Sequence, residues 1–392
     1  MKSLKPILIS ALLLITAACG GGGGGSTPPP ASNTVAGVAA AGIIKGGTVK
    51  VFGPYSSVSG ADKKQIGATV QTSLTTGAYS VDLGSYTGPV IVEVSGGSYV
   101  DEATGATTSI PAGAPLRAVA VSSTGSVNVA VTPLTELAAK QAATLAGAGV
   151  KLTDTTINQA NAQVSDLFKV DIIATQPLDA SAPLVGTQAQ KDYTLALAAL
   201  SQYTKDSLLP DVKTTLDNLA ITAAGSMPLV EVTKISTALS NFLDPANTNN
   251  KTGATVTDVS DNLKNLGKTT ITLTIALAGT GVKGVETDIV LPANVSVATE
   301  AGALPVATQS GVFTKLVGGA NATPAGSVVI AGTVHLIFND PDTALPAGDI
   351  LTVKAEVAAG VVPPAASAFT LANSKLKDGG GVIVGGATIS VH

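Results

Sequence analysis

A chain of 392 residues is long enough for two or three domains, yet only 12% of it is charged and 3% aromatic, with no Trp, one Cys, two His and a formal balance of −4. Its one arginine, Arg117, cannot build the cluster of guanidinium forks that clamps phosphates or reads guanine edges, which argues against nucleic acid as a partner. The single Cys19 excludes an internal disulfide framework and any cysteine-rich zinc or iron–sulfur site.

Residues 1–18 read as a signal peptide. Lys2 and Lys5 supply a positive start, Ile7 to Ile15 a short apolar run, and Ala17 and Ala18 the small residues before a cleavage point. The apolar run is too short to span a bilayer, which needs roughly 20 residues. An ordinary secretory signal cleaved near Ala18 is one reading. The other is carried by Thr16-Ala17-Ala18-Cys19, which resembles the bacterial lipobox, with Thr16 where a leucine is usual. That resemblance implies cleavage before Cys19, a diacylglycerol on its sulfur, a fatty acyl group such as palmitate on its amine, and an outer-membrane destination. Residues 19–34 are then the lipidated cysteine and a tether. The glycines at 20–25 are flexible, Pro28 to Pro30 stiffen the far end, and about 15 residues reach on the order of 20–40 Å.

Residues 35–131 alternate as short strands: Val49 to Phe52, Tyr79 to Leu83, Val90 to Val94, Leu116 to Val121 and Val127 to Val131. Turn residues separate them, as in a small sandwich. The segment Gly77-Ala78-Tyr79-Ser80-Val81-Asp82-Leu83, followed by Gly88-Pro89-Val90-Ile91-Val92-Glu93-Val94-Ser95-Gly96, resembles prealbumin-like or carboxypeptidase-regulatory-like modules. Those are non-catalytic stalks and adaptors.

Residues 132–266 change to helical periodicity. Thr132 suits a cap and Pro133 a first turn, with Leu134, Leu137, Ala138, Gln141 and Leu145 on one face. Ile157, Ala160, Val164, Leu167 and Phe168 make a second stripe after Asp154; Tyr193, Leu197, Leu200 and Tyr203 make a third behind Thr187. Shorter helices are expected over 211–220, 228–243 and 255–265. The aromatic residues on these stripes read as core.

Residues 268–392 return to strands: Thr270 to Leu277, Asp288 to Leu291, Ser327 to Phe338, Asp349 to Val357, Ala368 to Leu371 and Gly381 to Val391. The runs Gly284-Val285-Glu286-Thr287-Asp288-Ile289-Val290-Leu291-Pro292 and Gly348-Asp349-Ile350-Leu351-Thr352-Val353-Lys354 resemble a cohesin-type sandwich. So do Ser367-Ala368-Phe369-Thr370-Leu371 and the closing Asp378-Gly379-Gly380-Gly381-Val382-Ile383-Val384. The resemblance implies a nine-stranded jelly roll related to carbohydrate-binding sandwiches and, as partner, a dockerin-bearing protein.

Little in the chain spells chemistry. Gly279-Thr280-Gly281-Val282-Lys283-Gly284 matches the dinucleotide fingerprint, but a strand pattern follows where a helix is required, so a glycine-rich turn is expected. His335 lies on one face of a strand with Thr333 and Ile337, His392 ends the sequence, and no G-x-S-x-G elbow occurs. Asp101 with Glu102, and Asp340 with Asp342, are weak Ca²⁺ candidates in two turns; neither has the spacing of an EF-hand loop, and solvated turn acids are the plainer reading. Sugar platforms need exposed aromatic rings, yet all six tyrosines (55, 79, 86, 99, 193 and 203) precede the terminal strands, whose only aromatics are Phe313, Phe338 and Phe369.

The expected fold class is multidomain α+β, with two β-sandwich modules flanking a helical middle segment. The expected function is that of a non-enzymatic envelope protein, held to the membrane through Cys19, that presents its terminal sandwich to a protein partner. A carbohydrate-binding accessory lipoprotein is the alternative.

Overall fold

A computed structural model describes residues 33–55, 63–121, 125–297, 312–330 and 332–392. The signal segment, Cys19 and most of the tether lie outside the described residues. The chain is mostly β, with several sheets and a few helices, an arrangement compatible with β-sandwich modules.

Eight strands come first: β1 (Asn33–Val38), β2 (Lys45–Phe52), β3 (Gln65–Gln71), β4 (Ala78–Gly84), β5 (Val90–Val100), β6 (Thr107–Ile110), β7 (Leu116–Ala120) and β8 (Ser126–Asn128). They form a three-stranded sheet, β4-β1-β8, and a five-stranded sheet, β3-β2-β5-β6 with β7 on β5. β1 begins two positions inside the segment assigned to the tether. Asn33 accounts for this: its side chain accepts from the Gly125 N–H at 2.6 Å and donates to the Tyr86 carbonyl at 3.0 Å, tying the entering chain to two loops. Alternation along β4, with Tyr79, Val81 and Leu83 inward, gives one sheet its apolar face.

Six helices follow: α1 (Pro133–Ala146), α2 (Asp154–Phe168), α3 (Gln188–Asp206), α4 (Val212–Asn218), α5 (Leu229–Phe242) and α6 (Asp261–Lys264). Thr132, Thr153 and Thr187 cap the first three, each accepting from the backbone N–H three residues on. The single helix expected over 255–265 is instead a 3₁₀ turn, Val256–Asp258, and the short α6. Thr255 and Ser260 sit at successive N-caps, and the backbone is extended at Val259 and Ser260 before the helix restarts.

Nine strands complete the described chain: β9 (Thr269–Ala278), β10 (Gly284–Val290), β11 (Val295–Val297), β12 (Phe313–Lys315), β13 (Thr323–Ile330), β14 (Thr333–Asn339), β15 (Gly348–Val357), β16 (Thr370–Lys377) and β17 (Thr388–Val391). They make a four-stranded sheet, β13-β14-β10-β16, and a five-stranded one, β11-β15-β9-β17 with β12 on β15. The run read as one strand over 327–338 is a hairpin. Gly332, at φ +88°, occupies the turn region that a side chain resists.

Burial follows these groups. One apolar cluster takes Val35, Val49 and Val92 from the early strands together with Leu134, Phe168, Tyr193 and Phe242 from the helices. A second is confined to the terminal strands and draws on both of their sheets: Ile275 and Val353 from one, Val285, Leu336 and Phe338 from the other.

Candidate functional site

The loop between β5 and β6 holds the first pair of candidate acids. Asp101 makes a turn: its Oδ1 accepts from the Thr104 N–H at 2.9 Å and hydroxyl at 2.7 Å, and Gly105 closes it at φ +69°. Glu102, read from the sequence as a solvated turn acid, instead folds inward. It is 8% exposed, and its Oε1 accepts from the Gly42 N–H at 2.6 Å. Burial pushes its carboxyl up to about 7, the charge of Asp101 adding to the effect and backbone N–H donors opposing it.

Donors from α3 and from the loop after α5 fasten the same loop. Ser201 on α3 donates to Asp101 Oδ2 at 2.7 Å and accepts from the Ala103 N–H at 3.0 Å. Lys205 and Asn249 both donate to the Ala103 carbonyl at 3.0 Å. Beside this knot lies a cleft of about 430 Å³, lined among others by Lys45, Tyr99, Glu102, Asp179, Asn249 and Lys251. A buried carboxyl that titrates near neutrality beside a cleft is the usual mark of a place where a polar ligand could exchange a proton or a hydrogen bond. Nothing local in the sequence announces it. The partners of Glu102 and Asp101 stand 60 and 100 residues away.

The second pair is a clasp. Asp340 is 1% exposed and its carboxylate accepts from the N–H groups of Gly319 (2.6 Å), Asp342 (2.9 Å) and Thr343 (3.1 Å) and from the Thr343 hydroxyl (2.8 Å). These donors, Gly319 foremost, hold it well below the usual carboxylate range. Four protein donors on two oxygens make a loop lock rather than an open metal ligand. Asp342 accepts from Asn321 Nδ2 at 2.8 Å. Lys283, from the glycine-rich stretch, donates to the carbonyls of Pro341 and Asp342 at 3.3 and 3.0 Å. That stretch joins β9 to β10 with Gly279 and Gly281 at positive φ, so the dinucleotide-like spelling marks a turn that grips this loop.

His335 and Asp288 face each other across β14 and β10, with Nδ1 and Oδ1 2.7 Å apart. Asn373 Nδ2 donates to the other oxygen of Asp288 at 2.6 Å; this donor first, and His335 second, hold Asp288 below its ordinary range. Asn373 reaches it from a bulge at φ +52°, a conformation that Asn tolerates well. On the same face Glu286 takes Lys375 and Lys377 at 2.9 and 3.0 Å. His392 pairs its backbone with Thr274, and its ring lies 3.6 Å from Asp349.

Sequence reasoning missed a buried network around the one arginine. Arg117 grips Glu136 through Nε at 2.8 Å and a terminal nitrogen at 2.7 Å, while its own backbone N–H donates to the same carboxylate at 2.9 Å. Glu136 is fully buried. Nearby, Glu93 accepts from the Tyr55 hydroxyl at 2.7 Å and from Lys63, which lies 4.3 Å from the centre of the Phe52 ring. The only hint in the sequence is a lone Arg in an apolar strand, upstream of a lone Glu in the apolar turn that opens α1.

Eleven of the twelve aromatic residues are buried and the other, Tyr86, is half-buried. Among the described residues, no three or more His, Cys, Asp or Glu side chains converge as a metal centre, and no helix is long and apolar enough to cross a membrane. In comparisons with protein-family models, with curated proteins and with solved structures, nothing matches the chain.

Proposed function

We propose that the protein is a non-catalytic lipoprotein of the outer membrane, anchored through Cys19, whose terminal strands form a cohesin-like sandwich that binds a protein partner. The observation that carries this reading is the outer face of the β13-β14-β10-β16 sheet. Cross-strand pairs order its polar side chains before any partner arrives, and exposed Val290 and Ile337 stand beside them. Pre-ordered polar groups with an exposed apolar side chain at either end of the row suit a protein surface, because little side-chain entropy is left to lose on binding. The nine described terminal strands in two sheets agree with the strand number that the cohesin resemblance implies.

The carbohydrate-binding alternative is weaker. Phe313, Phe338 and Phe369 are all buried, so the terminal sheets offer no aromatic platform for a pyranose ring.

The test uses the chain from Gly20 onward, expressed without its lipid, as bait for secreted proteins of its own source. An Ile337→Glu/Val290→Glu double variant serves as control, its fold checked by circular dichroism. A partner held by the parent chain and lost by the variant supports the reading. No enriched partner, or retention on insoluble polysaccharide instead, would overturn it. For the anchor, Cys19→Ala is expected to leave an unprocessed chain in the soluble fraction; normal cleavage with continued membrane association would defeat that part.

A further inference from the structure

The chain leaving α5 runs Leu243-Asp244-Pro245-Ala246-Asn247-Thr248-Asn249-Asn250, and with the last turn of α3 it frames a shallow cleft of about 490 Å³. Gln202, Lys205, Asp206, Asn241, Asp244 and Asn247 are among its lining residues; no His or Cys takes part. Gln202 is 4% exposed. Its Nε2 donates to Asp206 Oδ1 at 2.7 Å, and because a carboxylate only accepts, this contact fixes which way the amide points. Its Oε1 is left buried without a hydrogen-bond partner, an arrangement that native proteins rarely leave uncompensated. Asp206 Oδ2 accepts from Asn241 Nδ2 at 2.8 Å, and Asp244 Oδ1 from the Ala246 N–H at 2.8 Å.

The charges around the cleft lean negative. Asp206 and Asp244 face one lysine, Lys205, whose ammonium is engaged by the Ala103 carbonyl at 3.0 Å. The last turn of α5 carries no basic residue, so the negative end of its backbone dipole is unopposed there.

We propose that the cleft at the ends of α3 and α5 is a calcium site, with Gln202 Oε1 and the carboxylates of Asp206 and Asp244 as its protein oxygens. A purely oxygen donor set selects a hard cation. Side chains from a helix end and an irregular loop suit the flexible coordination of Ca²⁺ better than the strict octahedron of Mg²⁺. Each carboxylate oxygen has a second lone pair, so the existing hydrogen bonds need not break. Two carboxylates place the affinity among weak extracellular sites, with dissociation constants on the order of 10⁻⁴–10⁻³ M.

The experiment is thermal unfolding of the EDTA-treated full chain with CaCl₂ or MgCl₂ at matched ionic strength, alongside calorimetric titration of Ca²⁺. Ca²⁺ at 10 mM is expected to raise Tm by about 3 °C, with Mg²⁺ giving no such rise. Gln202→Met and Asp244→Asn are each expected to abolish the Ca²⁺-dependent rise, measured against that variant's own melting point in EDTA, so a destabilised variant still reports. No rise in the parent chain would overturn the proposal. A rise that survives both variants, or an equal one with Mg²⁺, would overturn it as well.

Discussion

Glu102 carries its proton in the folded chain up to about pH 7 and, once unfolded, loses it near the ordinary value of 4.5. Between those values the folded state binds the extra proton, so this group's contribution to stability is full below about pH 4.5, falls as pH rises, and is gone above about 7. The whole effect is on the order of 3 kcal/mol. Glu102→Gln keeps an oxygen for the Gly42 N–H without the titration. It should therefore raise stability relative to the parent at pH 8 and change it little at pH 5. Urea unfolding at the two pH values reads this directly, and equal differences at both would refute it. Arg117 acts at the same scale. Arg117→Met leaves the Glu136 carboxylate buried with only a backbone donor, and a loss of about 3–5 kcal/mol is expected, part of it restored by adding Glu136→Gln. Residue identity was the level least legible in the sequence. Composition pointed to scarcity of Arg, but only three-dimensional packing shows that the one Arg is consumed inside. Likewise, Glu102 and Asp340 look like surface acids because local pattern carries no information about donors that arrive from other parts of the chain.

Elements were legible where short-range chemistry decides them. Thr132-Pro133 and Thr187 mark helix starts because a threonine hydroxyl and a β-region backbone are local properties, and those helices begin where those residues stand; the second helix begins at Asp154, as its stripe predicts, but the residue that caps it is Thr153. Thr132 does more than cap. Its hydroxyl is fully buried, accepts from the Thr135 N–H at 3.2 Å and meets the Tyr193 hydroxyl at 2.8 Å, joining α1 to α3. Thr132→Ala should cost about 2 kcal/mol, at the upper end for a lost cap, because the tyrosine hydroxyl also loses its partner. Thr132→Ser should recover most of it, and chemical denaturation of the three chains decides. The strands over 33–38, 65–71 and 107–110 went unread. They are rich in Gly, Ala, Thr and Gln, and pairing partners rather than apolar alternation define them.

At the scale of the molecule, composition shifts near residues 132 and 267 separate strands from helices, but they do not say which segments share a core. The early strands and the helices bury two clusters together, so strand and helix there are layers of a single packing unit; the terminal strands keep a cluster of their own. Few links cross between the two. The Gly267 N–H donates to the Leu167 carbonyl at 2.7 Å, and Asp166 at the end of α2 accepts from both the N–H and the hydroxyl of Thr270 as β9 begins, the latter at 2.7 Å. Lys169 braces Asp166 at 2.8 Å, and Lys268 lies 3.3 Å from Glu356. Two units joined by these polar links, by Ala359 packed against the first cluster and by Gly360 against Leu229 at the start of α5, should not melt as one. Calorimetry is expected to resolve two transitions, in contrast to the single one of a small two-state domain. Asp166→Ala takes the acceptor from the Thr270 N–H, a loss on the order of 1–2 kcal/mol felt mainly at the junction. Hydrogen exchange should then speed up in peptides from β9 while those from the middle of α3 keep their protection, because α3 packs wholly within the other core. A single calorimetric transition, or equal loss of protection in β9 and α3, would show instead that the junction binds the two cores into one cooperative unit.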